Sequence, residues 1–247
     1  MQSNQVAISS SSQISADAGR DIADAGRDIA DAAIAASLTQ LVTEPGAVSL
    51  AAGAFILIWK DGENPVTVDG ASEMPGRKAP AVSFGRNLRE VVLPFGGGTP
   101  TAVGYSSVAT PGALAGYDLA ARHYGRIPWS DLVEPARRHV SQGFPLPVAS
   151  HRYIENTYEG VFGWNPDAMR SLLDKNGELK RPGEDSPRVA CEPGLPINQL
   201  DIPKRCFDGL DMFFGGVSAA YLSPAGRFDL AADPRRTGGT ALSGKDG

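Results

Sequence analysis

The sequence predicts a layered α+β fold in which helices pack on sheets. Helix-type and strand-type stretches alternate along the chain instead of segregating. The strand Ala54–Trp59 is apolar on both faces, the pattern of a strand with material on either side. With 247 residues, 42% of them hydrophobic, the chain can bury roughly 70–75% of its unfolded surface as one large domain or two small ones.

Several function classes fall away on composition. The formal net charge of −5 gives no electrostatic footprint for nucleic acid or an anionic membrane. The N-terminal "MQSNQVAISSSSQIS" lacks a positive start and a continuous apolar run, and "GAFILIW" is too short to cross a bilayer. No export or membrane signal is visible, so the expected setting is cytoplasmic. Cys191 and Cys206 are the two thiols, read as reduced and partly buried, not as a disulfide framework.

The Ser- and Gln-rich residues 1–15 read as a frayed terminus in which "QVAIS" can form a short strand. The heptapeptide "AGRDIAD" then occurs at Ala18–Asp24 and again at Ala25–Asp31. Seven residues are close to two helical turns, so Ile22, Ile29 and Ala36 share a face and one long helix is expected from Ala16 to about Leu41. Gly19 and Gly26 each weaken it by about 1 kcal/mol relative to Ala, so packing must hold it. "GAFILIWKDGENPVTVDG" predicts a hairpin: a strand over Ala54–Trp59, a turn at Asp61-Gly62, and a strand over Pro65–Asp69.

A Pro- and Gly-rich loop follows, then a strand in "TAVGYSSVA". In "ATPGALAGYDLAARHYG", Thr110 is placed to cap a helix, Pro111 fits its first position, Leu114, Tyr117 and Ala121 repeat at helical spacing, and Gly125 ends it in the left-handed conformation. "PWSDLV" and "PARRHVSQG" predict two short helices ending at Gly143. Residues 150–180 read as mostly helical, and 181–206, with five prolines, as loop.

Familiar motifs are absent on inspection. "FGGGTP" at Phe95–Pro100 has no following Lys-Ser/Thr and reads as a tight turn, not a phosphate cradle. Ser106 is followed two residues on by Val108, where a nucleophile elbow needs Gly. His123, His139 and His151 are too dispersed for a local metal motif. Glu178, Glu184 and Asp185 lie among Lys, Arg, Gly and Pro and read as solvated.

Taken together, "GRDIADAAIAASLTQLVTEPGAVSLAAGAFILIW", "VTVDGASEMPG", "SSVATPGALAGYDLAARHYGRIPWSDLVEPARRHVSQGFPL" and "GLDMFFGGVSAA" resemble the gamma-glutamyltransferase, or glutathione hydrolase, family. The block Ser106–Leu146 is the most specific. The resemblance covers most of residues 16–220, leaving 1–15 as the frayed terminus and 221–247 as a divergent end. It implies an N-terminal-nucleophile hydrolase: an αββα sandwich, made as one precursor that cuts itself into large and small subunits, with this chain supplying the large-subunit part and the sandwich incomplete.

In that family a Thr exposed by the cut attacks the γ-glutamyl carbonyl with its own α-amine as base, and the acyl group passes to water or an amino acid. The resemblance implies no metal or organic cofactor, a small-molecule γ-glutamyl or related amide substrate, and a small subunit carrying the nucleophile. This chain has no adjacent Thr pair, and "RTGGT" at 236–240 does not match the family's Thr-Thr-His processing site. No catalytic residue is therefore assigned.

The family's carboxylate-binding Arg, in a D-x-R-E-x-A-P pattern, aligns with Ala71 in Asp69-Gly70-Ala71-Ser72-Glu73-Met74-Pro75. Ala cannot clamp a carboxylate. Arg77 is the candidate substrate-binding residue if it reaches the same place by another backbone route; otherwise it is an ordinary surface Arg. "GGTALSGKD" resembles a family segment leading into a helix, with Ser243 and Asp246 as a capping-box-like start. The sequence ends at Gly247, and the expectation is a truncated or interrupted product. The leading reading is a gamma-glutamyltransferase-like protein, inactive alone. The alternatives are a non-catalytic partner subunit or inactive fragment, and an amide or acyl hydrolase of the same fold acting on another substrate such as an acylated β-lactam.

Overall fold

The computed structural model describes residues 5–76, 78–80, 86–183, 218–222, 228–232 and 239–243. Its elements run β1 (Ala7–Ser10), α1 (Gln13–Asp24), α2 (Ile29–Thr43), β2 (Ala54–Ile58), β3 (Val66–Gly70), β4 (Arg89–Leu93), β5 (Thr99–Val103), α3 (Ala113–Tyr124), α4 (Trp129–Gln142), α5 (Val148–Thr157), α6 (Pro166–Leu172), β6 (Ser218–Leu222), β7 (Phe228–Ala232) and β8 (Gly239–Leu242). The strands pair antiparallel as β1–β8, β2–β3, β4–β5 and β6–β7. This is the mixed, layered arrangement that the alternating pattern predicts.

The duplicated heptapeptide makes a helical hairpin, not one long helix. In its first copy Gly19 lies at the α1–α2 crossing, where an added Cβ would come 2.9 Å from the Ala32 carbonyl and 3.1 Å from Ala36 Cβ. In the second copy Gly26 takes φ +76° and turns the chain. Asp28 then starts α2: its carboxylate accepts from Ala30 N at 3.0 Å, and Asp31 Oδ2 accepts from Asp28 N at 3.4 Å. Helical phase is lost because the same residues do different work in the two copies.

From residue 5 on, the strand allowed in "QVAIS" is present in place of a frayed end. Residues 7–10 form β1, and Ser12 caps α1 at Gln13. Ser243, expected as a helix cap, is buried and engaged elsewhere: its Oγ accepts from Val6 N at 2.6 Å and its N donates to Val6 O at 2.8 Å, extending the β1–β8 ladder, while the residues that would follow it lie outside the described ones. Asp246, Cys191, Cys206, Glu184, Asp185 and most of the 181–206 loop lie outside the described residues.

The main core gathers Ile34, Ala35, Leu38, Leu41 and Val42 of α2 with Val68 of β3, Ala120 of α3, and Leu132 and Ala136 of α4. A second cluster joins Ile8, Ala16, Ala23, Ala32 and Ala241, seating α1 on β1 and β8. α2 is therefore covered nearly all round, as its continuous apolar run requires. Asp31 sits in this interior with no exposed surface. Its Oδ1 accepts from Arg126 N at 2.9 Å, and the Arg126 guanidinium reaches Asp28 at 3.0 Å. One carboxylate thus ties the α1–α2 turn to the α3–α4 linker across 95 residues.

Other expectations change for local reasons. α3 begins at Ala113 without a side-chain cap, because Thr110 is held in a bridge to Glu73. Its buried positions are Ala113, Gly116 and Ala120, while Leu114 is partly exposed. Gly125 ends it in an extended conformation, φ −78°, not the left-handed one. The two short helices are one, α4, with Pro135 buried beside Leu132 and Ala136; Gly143, φ +84°, ends it. β4 lies where Pro and Gly content reads as loop, and Phe95–Gly98 is the tight turn into β5, with Gly96, Gly97 and Gly98 all at positive φ. The predicted helical stretch holds α5, a wider turn over Tyr158–Phe162, and α6.

The β2–β3 hairpin forms in the predicted place, with Ala54 opposite Gly70 and Ile58 opposite Val66. Only one face is covered, however: Ile56 and Ile58 pack on the main core while Phe55 and Leu57 are open. The doubly apolar pattern therefore overstates burial among the described residues. Among the described residues no helix is long and apolar enough to cross a membrane.

Two measurements check this packing. Asp31→Ala removes a buried acceptor from two part-buried backbone donors and should lower unfolding stability by roughly 1–3 kcal/mol, read as a shifted denaturant midpoint at unchanged slope; a loss under about 0.5 kcal/mol would show the tie is incidental. Burial, with Arg138 adding, holds the His139 pKa below its ordinary value, and Asp21 partly opposes this. The unfolded chain then binds the proton more readily, so His139's contribution is fully present above about pH 6.5 and is lost as pH falls from there through its folded value. His139→Gln should flatten that pH dependence of the melting temperature, and an unchanged slope would assign it to other groups.

Candidate functional site

The site is built where two separated stretches meet. β3 runs out at Gly70, and the chain continues through Ala71-Ser72-Glu73-Met74-Pro75 beside the segment that enters α3. Glu73 N donates to Thr110 O at 2.9 Å and Thr110 N to Glu73 O at 2.8 Å, a reciprocal pair that locks the two strands of chain together. Ala113 N, an otherwise unpaired donor of the first turn of α3, bonds to Ala52 O at 3.0 Å. Thr110-Pro111-Gly112 thus serves as a bridge and a close-contact point, where sequence spacing alone predicts a cap.

Glycine makes the contact feasible. A Cβ on Gly112 would come 2.5 Å from the Gly70 carbonyl oxygen and overlap that of Ala71. One on Gly70 would come 2.9 Å from Gly112 O, and one on Gly116 would come 3.2 Å from Gly70 Cα. Backbone therefore lies directly on backbone, and the end of β3 is fixed against the start of α3.

The chemistry of this end is acidic and small. Asp69 is exposed, and its Oδ1 accepts from Ala71 N at 3.0 Å, bending the chain out of the strand. Glu73 is exposed as well, and Ser72 is buried with no hydrogen-bond partner for its hydroxyl among the described residues. Residues 69–76 contain two acids and no cation. Arg77, the candidate substrate-binding residue, lies outside the described residues. The Glu73–Thr110 pairing and the Gly70–Gly112 contact are the features that sequence reasoning missed; the glycines at 70, 112 and 116 were the available signal.

The rejected motifs stay apart from this region. Ser107 Oγ donates to Gly104 O at 2.7 Å within a short turn at Tyr105–Ser107. His151 Nδ1 lies 2.8 Å from Lys180 O, while His123 and His139 end different helices. Glu178 is exposed, 3.6 Å from Arg181. Among the described residues no three of His, Cys, Asp and Glu gather where they could hold a metal ion.

Comparison with known proteins places this geometry. The gamma-glutamyltranspeptidase family profile matches residues 15–190. Glutathione hydrolase 5 proenzyme of Rattus norvegicus is 29% identical over 183 residues, covering 74% of this chain and 30% of that protein. Among solved structures, gamma-glutamyltranspeptidase of Helicobacter pylori superposes with a TM-score of 0.57 at 20% identity, covering 70% of this chain and 48% of that one. Cephalosporin acylase of Bacillus halodurans gives 0.57 at 24% identity, covering 74% and 33%. The fold is thus the N-terminal-nucleophile hydrolase sandwich of these enzymes, seen in part, and the chain spans about 30% of the rat relative's length. Both halves of the candidate site, Asp69–Pro75 and Thr110–Gly116, fall within the matched residues, and the chain belongs to the gamma-glutamyltranspeptidase family.

Proposed function

We propose that this chain is the scaffold part of an enzyme that transfers or hydrolyses γ-glutamyl or related acyl groups, with the nucleophile supplied from polypeptide outside these residues. The observation that carries the reading is the locked junction of β3 and α3 within the family-matched region. In the proposed reaction a terminal Thr hydroxyl oxygen attacks the amide carbonyl carbon, and the Thr α-amine takes the hydroxyl proton and delivers it to the departing amine. Water or an amino acid then takes the acyl group from the resulting ester and regenerates the hydroxyl. This chain's part is to hold one wall of the donor site in fixed position.

A specific observation favours a second reading, the same chemistry on a donor without an α-carboxylate. Ala71 stands where the family motif has Arg, and the exposed Asp69 and Glu73 flank it. Two carboxylates without a cation disfavour a third. Arg77 is the proposed substitute for the missing charge.

Folded chain alone should not release the chromophore from a γ-glutamyl anilide above a heat-treated control, whereas chain joined to a Thr-bearing small subunit should; turnover by the chain alone that survives replacement of each Thr would overturn the mechanism. In that joined enzyme, Arg77→Ala should raise KM for γ-glutamyl donors by roughly 10–100-fold, the consequence of losing a charge-assisted hydrogen bond. Donors lacking the α-carboxylate should be little affected. An equal response of both donor classes, or of neither, would remove Arg77 from the site and favour the second reading.

A further inference from the structure

Arg89, Tyr105 and Trp164 come from three separate segments and meet on one surface. The Arg89 guanidinium, at the start of β4, lies 5.7 Å over the Trp164 ring. Tyr105, in the turn after β5, meets the same ring nearly at right angles with centroids 5.5 Å apart. Trp164 is fixed in turn, because its Nε1 donates to Val161 O at 2.9 Å.

The backbone is shaped to bring the three together. Asn87, just before β4, is the one non-glycine residue at positive φ among the described residues, +59°. Gly104, which precedes Tyr105, has φ +117°, and a Cβ there would come 2.7 Å from Asn87 O. The two ends of the β4–β5 hairpin therefore close on each other through positive-φ positions. Trp164 follows a wide turn closed by Gly163 N donating to Tyr158 O at 2.6 Å, a π-type turn of the kind that recurs at functional sites. Seating the hairpin does not require the cluster, since Leu93 is buried and a Cβ on Gly160 would already touch Val91 at 3.5 Å. Tyr105, by contrast, is 71% exposed, and Arg89 is exposed as well. Unusual backbone that holds side chains outward points to a ligand.

The residue types indicate which ligand. None of the ion pairs among the described residues involves Arg89, and Glu90 next to it falls on the other face of the strand. With one face of the guanidinium on Trp164, its N–H edge is available to the two oxygens of a carboxylate. The exposed Tyr105 ring beside it offers a flat apolar surface on which an aromatic ring can lie. We propose that Arg89, Tyr105 and Trp164 form a binding site for an aromatic carboxylate, with Arg89 pairing the carboxylate and Tyr105 stacking on the ring. The inference goes beyond the acyl-transfer reading and does not depend on it.

The test titrates the full chain with benzoate, benzamide and cyclohexanecarboxylate, followed by ligand-detected NMR saturation transfer and by tryptophan emission. Benzoate should bind saturably with a dissociation constant of about 1–10 mM, the scale set by so small a ligand. Benzamide, which keeps the ring and loses the charge, should bind at least about 10-fold more weakly. Cyclohexanecarboxylate, which keeps the charge and loses the aromatic face, should bind roughly 3–10-fold more weakly. Arg89→Gln should weaken benzoate at least about 10-fold and erase its advantage over benzamide. Tyr105→Leu should erase the advantage over cyclohexanecarboxylate, and both variants should melt at the wild-type temperature. Arg122→Gln, which removes a guanidinium paired with Asp118 on α3, should bind as wild type does. No saturable benzoate binding, equal binding of benzamide or of cyclohexanecarboxylate, full binding by Arg89→Gln, or an equal loss in Arg122→Gln would overturn the inference. The three ligands compared on wild-type chain decide it even where a variant fails to fold.

Discussion

The fold turns on a backbone-to-backbone contact between the end of β3 and the start of α3. Gly70, Gly112 and Gly116 approach so closely that a methyl group on any of them would press on the opposing main chain. With the contact in place, Glu73 and Thr110 can exchange two hydrogen bonds, and the helix is seated over the hairpin so that Ala120 and Val68 enter one core. Without it, the residues following β3 would have no fixed position, and a site that depends on orientation would lose its reference wall. The buried Asp31 tie performs the same service at the other end of α3, where its carboxylate holds the backbone of Arg126.

Much of this was legible in the sequence. The β2–β3 hairpin could be placed because alternating and apolar runs flank Asp61-Gly62, and α3 from its helical spacing; Gly143 marked the end of α4, whose span read as two short helices. What escaped was tertiary. Thr110 has the chemistry of a cap, but its backbone is engaged by Glu73, 37 positions earlier in the segment after β3, and local spacing carries no trace of that. The repeated "AGRDIAD" has a helical phase that fits one helix; a glycine at a helix crossing and a glycine in a turn are the same letter. β2 reads as covered on both faces because its run is apolar throughout, whereas among the described residues only the Ile56 and Ile58 face is packed.

The site was legible as a resemblance more than as a mechanism. The stretch Asp69–Pro75 could be aligned with the family motif, and the loss of its cation at Ala71 could be seen directly. The junction with Thr110–Gly116, which makes the stretch a rigid wall, could not, since it joins segments that are distant along the chain. In the proposed function these residues form a half-site whose nucleophile comes from further polypeptide, and the open hairpin face and the absence of an adjacent Thr pair support that reading. On the proposed reading the acidic character of Asp69–Pro75 bears on donor selection, because an anionic donor must bring or find a compensating charge there.

Trapping the acyl intermediate tests the central claim most directly. Chain joined to a Thr-bearing small subunit would be quenched during turnover of a γ-glutamyl or acyl amide, digested, and mapped by mass spectrometry. The account predicts the acyl adduct on the N-terminal Thr of the added polypeptide and none on residues 1–247. An acyl adduct on a Ser, Thr or Cys of this chain that turns over at the catalytic rate would contradict it.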